Sequence, residues 1–175
     1  RDFTVNAMEV GLDDSRFELV DLVGGLSDFE KGLIRAVGDP EKRFGEDALR
    51  MMRAIRIAAK LGFLIEGETL KAISTKAGLL SNISKERVRD EFMKIIGSDY
   101  PADGVGLLIS TGLMEHIVPE ILEARGVIQG GHHTLTVLDH MIESLRNCSS
   151  PDPIVRFASL IHDVGKPKSQ RFKCR

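Results

Sequence analysis

Apolar residues recur at the spacing of amphipathic helices from Gly45 onward, and this period constrains the fold more than any other feature. In the first such stretch, Glu46 and Asp47 lie where a helix N-terminus favours negative charge. Gly62 lies where a left-handed C-terminal cap is expected. We therefore predict a helix over residues 46–61. The same pattern predicts further helices over residues 69–80, 84–97, 101–108, 133–146 and 154–162.

Residues 1–40 have a different pattern, because short apolar runs alternate there with Gly and Asp. This favours short strands joined by turns, with strands expected at residues 17–21 and 33–37. Only 5% of all residues are aromatic, so the core must consist of Leu, Ile, Val, Met and Ala, which favours helices over a β-sandwich. The expected fold is therefore mainly α, with a small β portion at the N-terminus.

Composition excludes several classes of protein. With 42% hydrophobic and 29% charged residues, the chain can bury a core and is not a disordered tail. No apolar run approaches the roughly 18 residues of a membrane helix, so we expect a cytoplasmic protein with no membrane partner. Cys148 and Cys174 are expected to be free thiols. The net charge of −2 gives no global attraction to nucleic acid, so any polyanion site must be a local cluster.

The predicted helix over residues 46–61 carries such a cluster. On a helical wheel one side is apolar, with Ala48, Met52, Ile55 and Ala59. The other side is basic, with Arg50, Arg53, Arg56 and Lys60. A solvated face is one interpretation of this basic stripe. Leu49 and Ile57 lie among the arginines, however, which indicates a face that borders a cleft.

Asp47 and Arg50 are spaced as neighbours on one helical face. A carboxylate acceptor beside guanidinium donors complements cytosine and adenine, which both present an exocyclic amine next to an unprotonated ring nitrogen. Uracil and guanine reverse this pattern, so each mismatched group would lose on the order of 1–3 kcal/mol. The alternative is an ordinary ion pair that contributes only tenths of a kcal/mol. Spacing alone leaves both interpretations open.

Several short segments occur in a fixed order along the first half of the chain. They are RDFTVNA (1–7), DLVGG (21–25), VGDP (37–40), RF (43–44), EDALR (46–50), RA (53–54), LGF (61–63) and ISKERV (83–88). This ordered set resembles the motifs of the class II tRNA nucleotidyltransferases, over about residues 1–95. That family comprises the CCA-adding enzymes and the bacterial poly(A) polymerases.

The resemblance implies a role for each matching residue. Asp47 and Arg50 match the protein template for incoming CTP and ATP. Arg53 and Arg56 match positions around the nucleotide and its phosphates. The motif that contacts ribose and triphosphate contains Arg1, Asp2 and Asn6. The complete enzyme would then join CTP and ATP to a tRNA 3′ end and release pyrophosphate.

The catalytic residues of this family are expected outside the segment. The resemblance places the Asp-x-Asp pair that holds two Mg²⁺ ions upstream of residue 1, and two-metal catalysis needs those carboxylates. We therefore assign no catalytic residue here and expect the segment alone to be inactive. It would be a fragment of the enzyme or the ordered part of a longer chain.

A second resemblance lies near the C-terminus. His133-Thr134-Leu135, followed by FASLIHDVGK (157–166), is similar to the opening half of an HD phosphohydrolase domain. In that family two His and two Asp bind a divalent metal that activates water against a phosphate ester. The resemblance implies metal ligands at His133, His162 and Asp163, with the last Asp beyond residue 175. We expect His132 and His140 to be solvated or to support the site without binding the metal.

The expected organisation has three parts. Residues 1–45 would end a nucleotidyltransferase head domain, residues 46–125 would form a helical neck and body, and residues 126–175 would begin an HD domain. Within the family, a poly(A) polymerase or an enzyme that adds only C or only A is an alternative. Outside it, the alternatives are an HD metal-dependent phosphohydrolase and a noncatalytic RNA-binding module that uses basic clusters at residues 50–60 and 166–175.

Overall fold

The fold was obtained as a computed structural model that describes residues 1–13, 16–128 and 136–169. Within these ranges helices predominate, which confirms the expected fold class. The strands are β1 (Glu9–Asp13), β2 (Arg16–Val20), β3 (Leu33–Ile34) and β4 (Leu64–Ile65). The α-helices are α1 (Gly25–Glu30), α2 (Pro40–Glu46), α3 (Leu49–Leu61), α4 (Gly67–Lys76), α5 (Lys85–Ile96), α6 (Pro101–Ser110), α7 (Val137–Arg146), α8 (Pro153–Ile161) and α9 (Lys166–Ser169).

In the N-terminal part, β2 and β3 overlap the two predicted strands, whereas β1 and helix α1 were not predicted. β1 pairs with β2 in an antiparallel hairpin, and β3 pairs with β4 in parallel. Helix α1 follows Gly24, whose φ of 76° only glycine adopts readily. The Asp21 carboxylate accepts hydrogen bonds from the N–H groups of Leu26 and Gly25, both at 2.9 Å. These bonds lower the pKa of Asp21 and satisfy donors at the helix start.

The prediction of one helix over residues 46–61 is wrong at its N-terminal end. Helix α2 ends at Glu46, and Asp47 has an extended backbone with φ −149° and ψ 105° before α3 begins. Helix α2 itself starts from strong local signals, since the Asp39 side chain accepts from two N–H groups and Pro40 occupies the first turn. The predicted C-terminal cap is confirmed, because Gly62 has φ 68°.

The other helices lie close to their predicted positions. Helix α6 starts at Pro101 as predicted, and α5 follows Ser84 as predicted, although the Ser84 side chain makes no capping hydrogen bond. The predicted helix over residues 69–80 is instead α4 followed by a 3₁₀-helix, Ala77–Asn82. Helix α7 begins after Thr136, whose hydroxyl accepts from the Asp139 N–H. Residues 133–135, predicted to begin this helix, lie outside the described residues.

Helix α3 lies at the centre of the apolar core and packs against α5 and α6. Met51, Met52 and Ile55 are fully buried on its inner side. One connected cluster of buried apolar side chains extends from Phe3 to Leu160, and most of it is aliphatic, as the composition requires. None of the described helices combines the length and apolar character needed to cross a membrane. The predicted domain boundaries stay a prediction.

Candidate functional site

The break between α2 and α3 presents the Asp47 carboxylate to a cavity of about 420 Å³. Its Oδ1 accepts a hydrogen bond from the Leu49 N–H at 3.1 Å, and its Oδ2 lies 3.1 Å from the Arg87 guanidinium. The side chain remains 29% exposed. The cavity is also lined by Glu46, Ala48, Leu79, Asn82, Ile83 and Arg87. A fixed acceptor therefore faces a space with polar walls.

Arg50 extends in another direction and is not among the residues that line this cavity. Its Nε lies 3.1 Å from Asp2, and its Nη1 donates to Glu46 at 2.6 Å and to the Arg43 carbonyl at 2.9 Å. The prediction that Asp47 and Arg50 share one helical face is wrong, because Asp47 precedes the helix and has an extended backbone. The two residues remain adjacent, since the Arg50 N–H donates to the Asp47 carbonyl at 3.1 Å.

The Asp2 carboxylate is the acceptor on which three guanidinium groups converge. Arg53 lies 2.8 Å away, Arg50 lies 3.1 Å away and Arg43 lies 3.6 Å away. Only 11% of the Asp2 side chain is exposed. A second carboxylate, that of Glu46, bridges Arg43 and Arg50, and the hydrogen bond from Arg50 lowers its pKa. The first residues of the chain are thereby fixed to α2 and α3.

Arg1 and Asn6 have contacts within their own segment. The Arg1 guanidinium donates to the Asn6 carbonyl at 3.1 Å and lies 3.2 Å from Glu9, with more than half of its side chain exposed. The Asn6 side-chain oxygen accepts from the Phe3 N–H at 3.2 Å. Asn6 therefore stabilises the turn that follows Asp2, while Arg1 leaves much of its surface open to a ligand.

Arg56 lies apart from the other predicted nucleotide-binding residues. Its Nε is 2.8 Å from Glu91 on α5, and Lys94 lies 2.9 Å from the same carboxylate. Only 9% of the Glu91 side chain is exposed. The structure therefore brings Arg53 to Asp2 but places Arg56 at the contact between α3 and α5.

Near the C-terminus, His140, His162 and Asp163 bring three potential metal ligands together, all within 4.8 Å of one another. The Nε2 atoms of the two histidines are 3.2 Å apart, and Asp163 Oδ2 lies 3.1 Å from His162 and 3.6 Å from His140. His140 thus contributes directly, contrary to the supporting role expected for it. His133, the ligand predicted instead, lies outside the described residues.

Two imidazoles and one carboxylate are a suitable donor set for a divalent transition metal. Lys166 Nζ lies 2.6 Å from Asp163 Oδ2, so an ammonium group already occupies one side of the carboxylate. His162 Nδ1 lies 2.8 Å from the Ser159 carbonyl, which orients the ring and leaves Nε2 facing the cluster. The residues present therefore fit a metal, provided that Lys166 yields its position on Asp163.

Two residues of these sites were missed or misjudged at the level of sequence. Arg87 lies within the ISKERV segment (83–88), but no local pattern connects it with Asp47, which is 40 residues away. The sequence predicts His133 as the ligand and a supporting role for His140. The sequence pattern places His140 one turn after the Thr136 cap, and the structure brings its ring next to His162 at the end of α8.

Comparisons with known proteins agree with the resemblance. A family described as "Probable RNA and SrmB- binding site of polymerase A" matches residues 62–125. An A-adding tRNA nucleotidyltransferase of Deinococcus radiodurans is 38% identical over 97% of this chain and 40% of that protein. A CCA-adding enzyme of Lactiplantibacillus plantarum is 46% identical over 67% of this chain and 28% of that protein.

A solved structure shares the fold as well. The Bacillus stearothermophilus CCA-adding enzyme in complex with CTP matches with a TM-score of 0.72 and 33% identity, over 94% of this chain and 38% of that chain. The present chain therefore spans at most 40% of the length of these three proteins.

Proposed function

Because the chain belongs to the family of tRNA nucleotidyltransferases and poly(A) polymerases, we propose that it supplies the nucleotide-selecting part of a CCA-adding enzyme. The complete enzyme joins CTP and ATP to the 3′ end of tRNA and releases pyrophosphate. The similarity to CCA-adding enzymes supports this proposal. The observation that carries it is the Asp47 carboxylate, which is held by two contacts and faces a cavity.

Base selection follows from the chemistry of Asp47 and Arg50. An oxygen of Asp47 accepts the exocyclic amine of cytosine or adenine, and Arg50 donates to the adjacent ring nitrogen. Since Arg50 points away from the cavity and is bound to Asp2 and Glu46, its guanidinium has to release at least one of these partners and turn towards Asp47 when a base binds. A uracil or guanine edge would place a carbonyl against the carboxylate and an N–H against the guanidinium.

In the part of the chain that the structure describes, no group of three potential metal ligands includes Asp47. Among the described residues, the group of His140, His162 and Asp163 is the one that brings three potential ligands together. The resemblance implies that Mg²⁺ binds to an Asp-x-Asp pair upstream of residue 1. In this segment Asp2, Arg50 and Arg53 orient the nucleotide, and the helices within residues 62–125 contact the tRNA.

Nucleotide choice tests the proposal. In a full-length protein that carries this segment, Asp47→Ala and Arg50→Ala should reduce the selection of CTP and ATP over UTP and GTP more than they reduce stability. The substrate is tRNA that lacks its 3′ end, supplied with one nucleotide at a time. Asp90→Ala is the control, because Asp90 is exposed and pairs only with the adjacent Arg89 among the described residues. Unchanged nucleotide choice in both template variants would contradict the proposal.

An enzyme that adds only A is the second candidate. The similarity to the A-adding enzyme extends over 97% of the chain, whereas that to the lactobacillar CCA-adding enzyme covers 67%. An Asp47 and Arg50 template accepts cytosine and adenine alike, so it favours neither candidate. CTP supplied alone, with tRNA that lacks all three terminal nucleotides, distinguishes them. A CCA-adding enzyme extends this primer, and an A-adding enzyme does not.

We also propose a divalent metal at His140, His162 and Asp163, as in an HD phosphohydrolase. The convergence of three ligand atoms favours this second site. When bound, the metal would activate water against a phosphate ester. The Ser159 carbonyl orients His162, and Lys166, once the metal displaces it from Asp163, would be near enough for its ammonium to meet a phosphate oxygen.

A further inference from the structure

We propose that Arg87 is a positioning residue for base selection: its guanidinium holds the Asp47 carboxylate in the orientation in which it accepts a nucleobase amine. This inference rests on the proposed template function of Asp47. Arg87 lies in the first turn of α5, and the Arg87 Nη2 to Asp47 Oδ2 distance is 3.1 Å. Both residues line the same cavity, so the contact lies at the surface that a bound base would meet.

The Asp47 carboxylate needs such an anchor because its backbone lies outside both helices. Asp47 has an extended conformation between α2 and α3, so its side chain leaves the backbone in a direction that neither helix sets. The hydrogen bond from the Leu49 N–H fixes Oδ1 only. Rotation of the carboxyl group about that bond would move Oδ2, unless a second donor holds it. Arg87 is that donor in the described part of the chain.

The two contacts that anchor the Asp47 carboxylate leave it able to accept further hydrogen bonds. An ionised carboxylate has about four lone-pair positions on its two oxygens. Leu49 uses one position on Oδ1 and Arg87 uses one on Oδ2. One position on each oxygen remains for the amine of cytosine or adenine. The arrangement thus fixes the direction of the carboxylate and preserves its ability to accept.

The position of Arg87 is set by the core rather than by its own ion pair. The next residue, Val88, is buried, and Glu91 one turn later pairs with Arg56 on α3. The Arg87 side chain itself is 54% exposed. Removal of this guanidinium should therefore leave the fold intact, because exposed ion pairs contribute little to stability. The loss of this guanidinium should instead change which nucleotides the enzyme selects.

Steady-state kinetics of the full-length protein test the inference, with tRNA lacking its 3′ end as primer. Arg87→Ala should lower the ratio of kcat/KM for CTP to that for UTP by about tenfold, the size expected for one lost hydrogen bond to a charged group. Arg87→Lys should recover part of that ratio, because a cation remains near Oδ2. Arg146→Ala is the control, since Arg146 lies on α7, outside the helices assigned to tRNA contact, and forms an exposed ion pair with Asp103. Its nucleotide choice and unfolding midpoint should equal those of the parent.

A double-mutant cycle separates positioning from other roles. If Arg87 acts through Asp47, Arg87→Ala should change nothing further in the Asp47→Ala background. A full additional loss in that background would mean that Arg87 contacts the base directly and would overturn the inference. Parent-like selection by Arg87→Ala, with Asp47→Ala impaired, would overturn it as well. If Asp47→Ala itself selects normally, the proposed template function is what fails.

Discussion

Replacement of Asp2 by Ala tests whether one carboxylate organises the arginines of this site. The side chain is 11% exposed and accepts short contacts from Arg50 and Arg53. A hydrogen bond to a charged group contributes about 1.5–3 kcal/mol. Arg53 is 40% exposed, so its contact is discounted to about 1 kcal/mol or less. Arg50 is 19% exposed and keeps Glu46 as a partner, so its share is about 1.5–2 kcal/mol.

The expected loss is therefore about 2–3 kcal/mol in the free energy of unfolding. For a chain of this size that corresponds to a fall of about 5–10 °C in the unfolding midpoint. Urea unfolding followed by circular dichroism measures the free energy of unfolding, and a thermal scan with the same signal measures the midpoint. Arg53→Ala should cost less than Asp2→Ala, because Arg53 contributes only the more exposed of the two short contacts.

The control for this measurement is Asp90→Ala, which removes an exposed carboxylate beside Arg89. Its free energy of unfolding should stay within about 0.5 kcal/mol of the parent value. A stability of Asp2→Ala equal to that of this control would refute the reasoning. It would mean that the three arginines are held by Glu46 and by solvent, and that Asp2 does not organise them.

Three further predictions concern acid stability, metal binding and phosphatase activity. Burial raises the pKa of Glu66, but hydrogen bonds from Thr69 and Glu68 and the charge of Arg35 outweigh it and lower the pKa below its usual value. The ionised Glu66 therefore stabilises the fold above about pH 4.5, and this stabilisation is lost as the pH falls through the lowered pKa. In Glu66→Gln the free energy of unfolding should fall less between pH 7 and pH 3 than it does in the parent. A divalent metal such as Mn²⁺ or Ni²⁺ should raise the unfolding midpoint of the parent and of His116→Ala but not of His140→Ala; an equal rise in all three would exclude the cluster. Should the full-length protein have metal-stimulated phosphatase activity, His162→Ala should abolish it and preserve nucleotide addition; loss of both would contradict separate sites.

Local signals predicted most of the helices and their ends. Gly62 and Pro101 mark the end of α3 and the start of α6 because each acts through its own backbone, which the sequence specifies directly. The break at Asp47 was missed because two adjacent acids are equally compatible with a continuing first turn. Asp47 does act at a helix start, but through its side chain and from outside the helix.

Long-range charge pairs could not be predicted from periodicity. Asp2 meets Arg50 and Arg53 only because Phe3 is buried and fixes the N-terminal segment beside α3. The pairing of Arg87 with Asp47 likewise depends on how α5 packs on α3. A sequence pattern identifies which residues are available, and the packing of helices decides which of them meet.

The charges around Asp47 show how this site differs from an ordinary polyanion site. Five arginines of this region form ion pairs with four carboxylates, so their charges nearly cancel. The arginines are Arg1, Arg43, Arg50, Arg53 and Arg87, and the carboxylates are Asp2, Glu9, Glu46 and Asp47. A phosphate-binding surface needs a surplus of cations, and its affinity falls steeply with salt. A balanced set of fixed pairs offers little net attraction but holds each donor and acceptor in one direction. Such a surface is suited to the base selection proposed above.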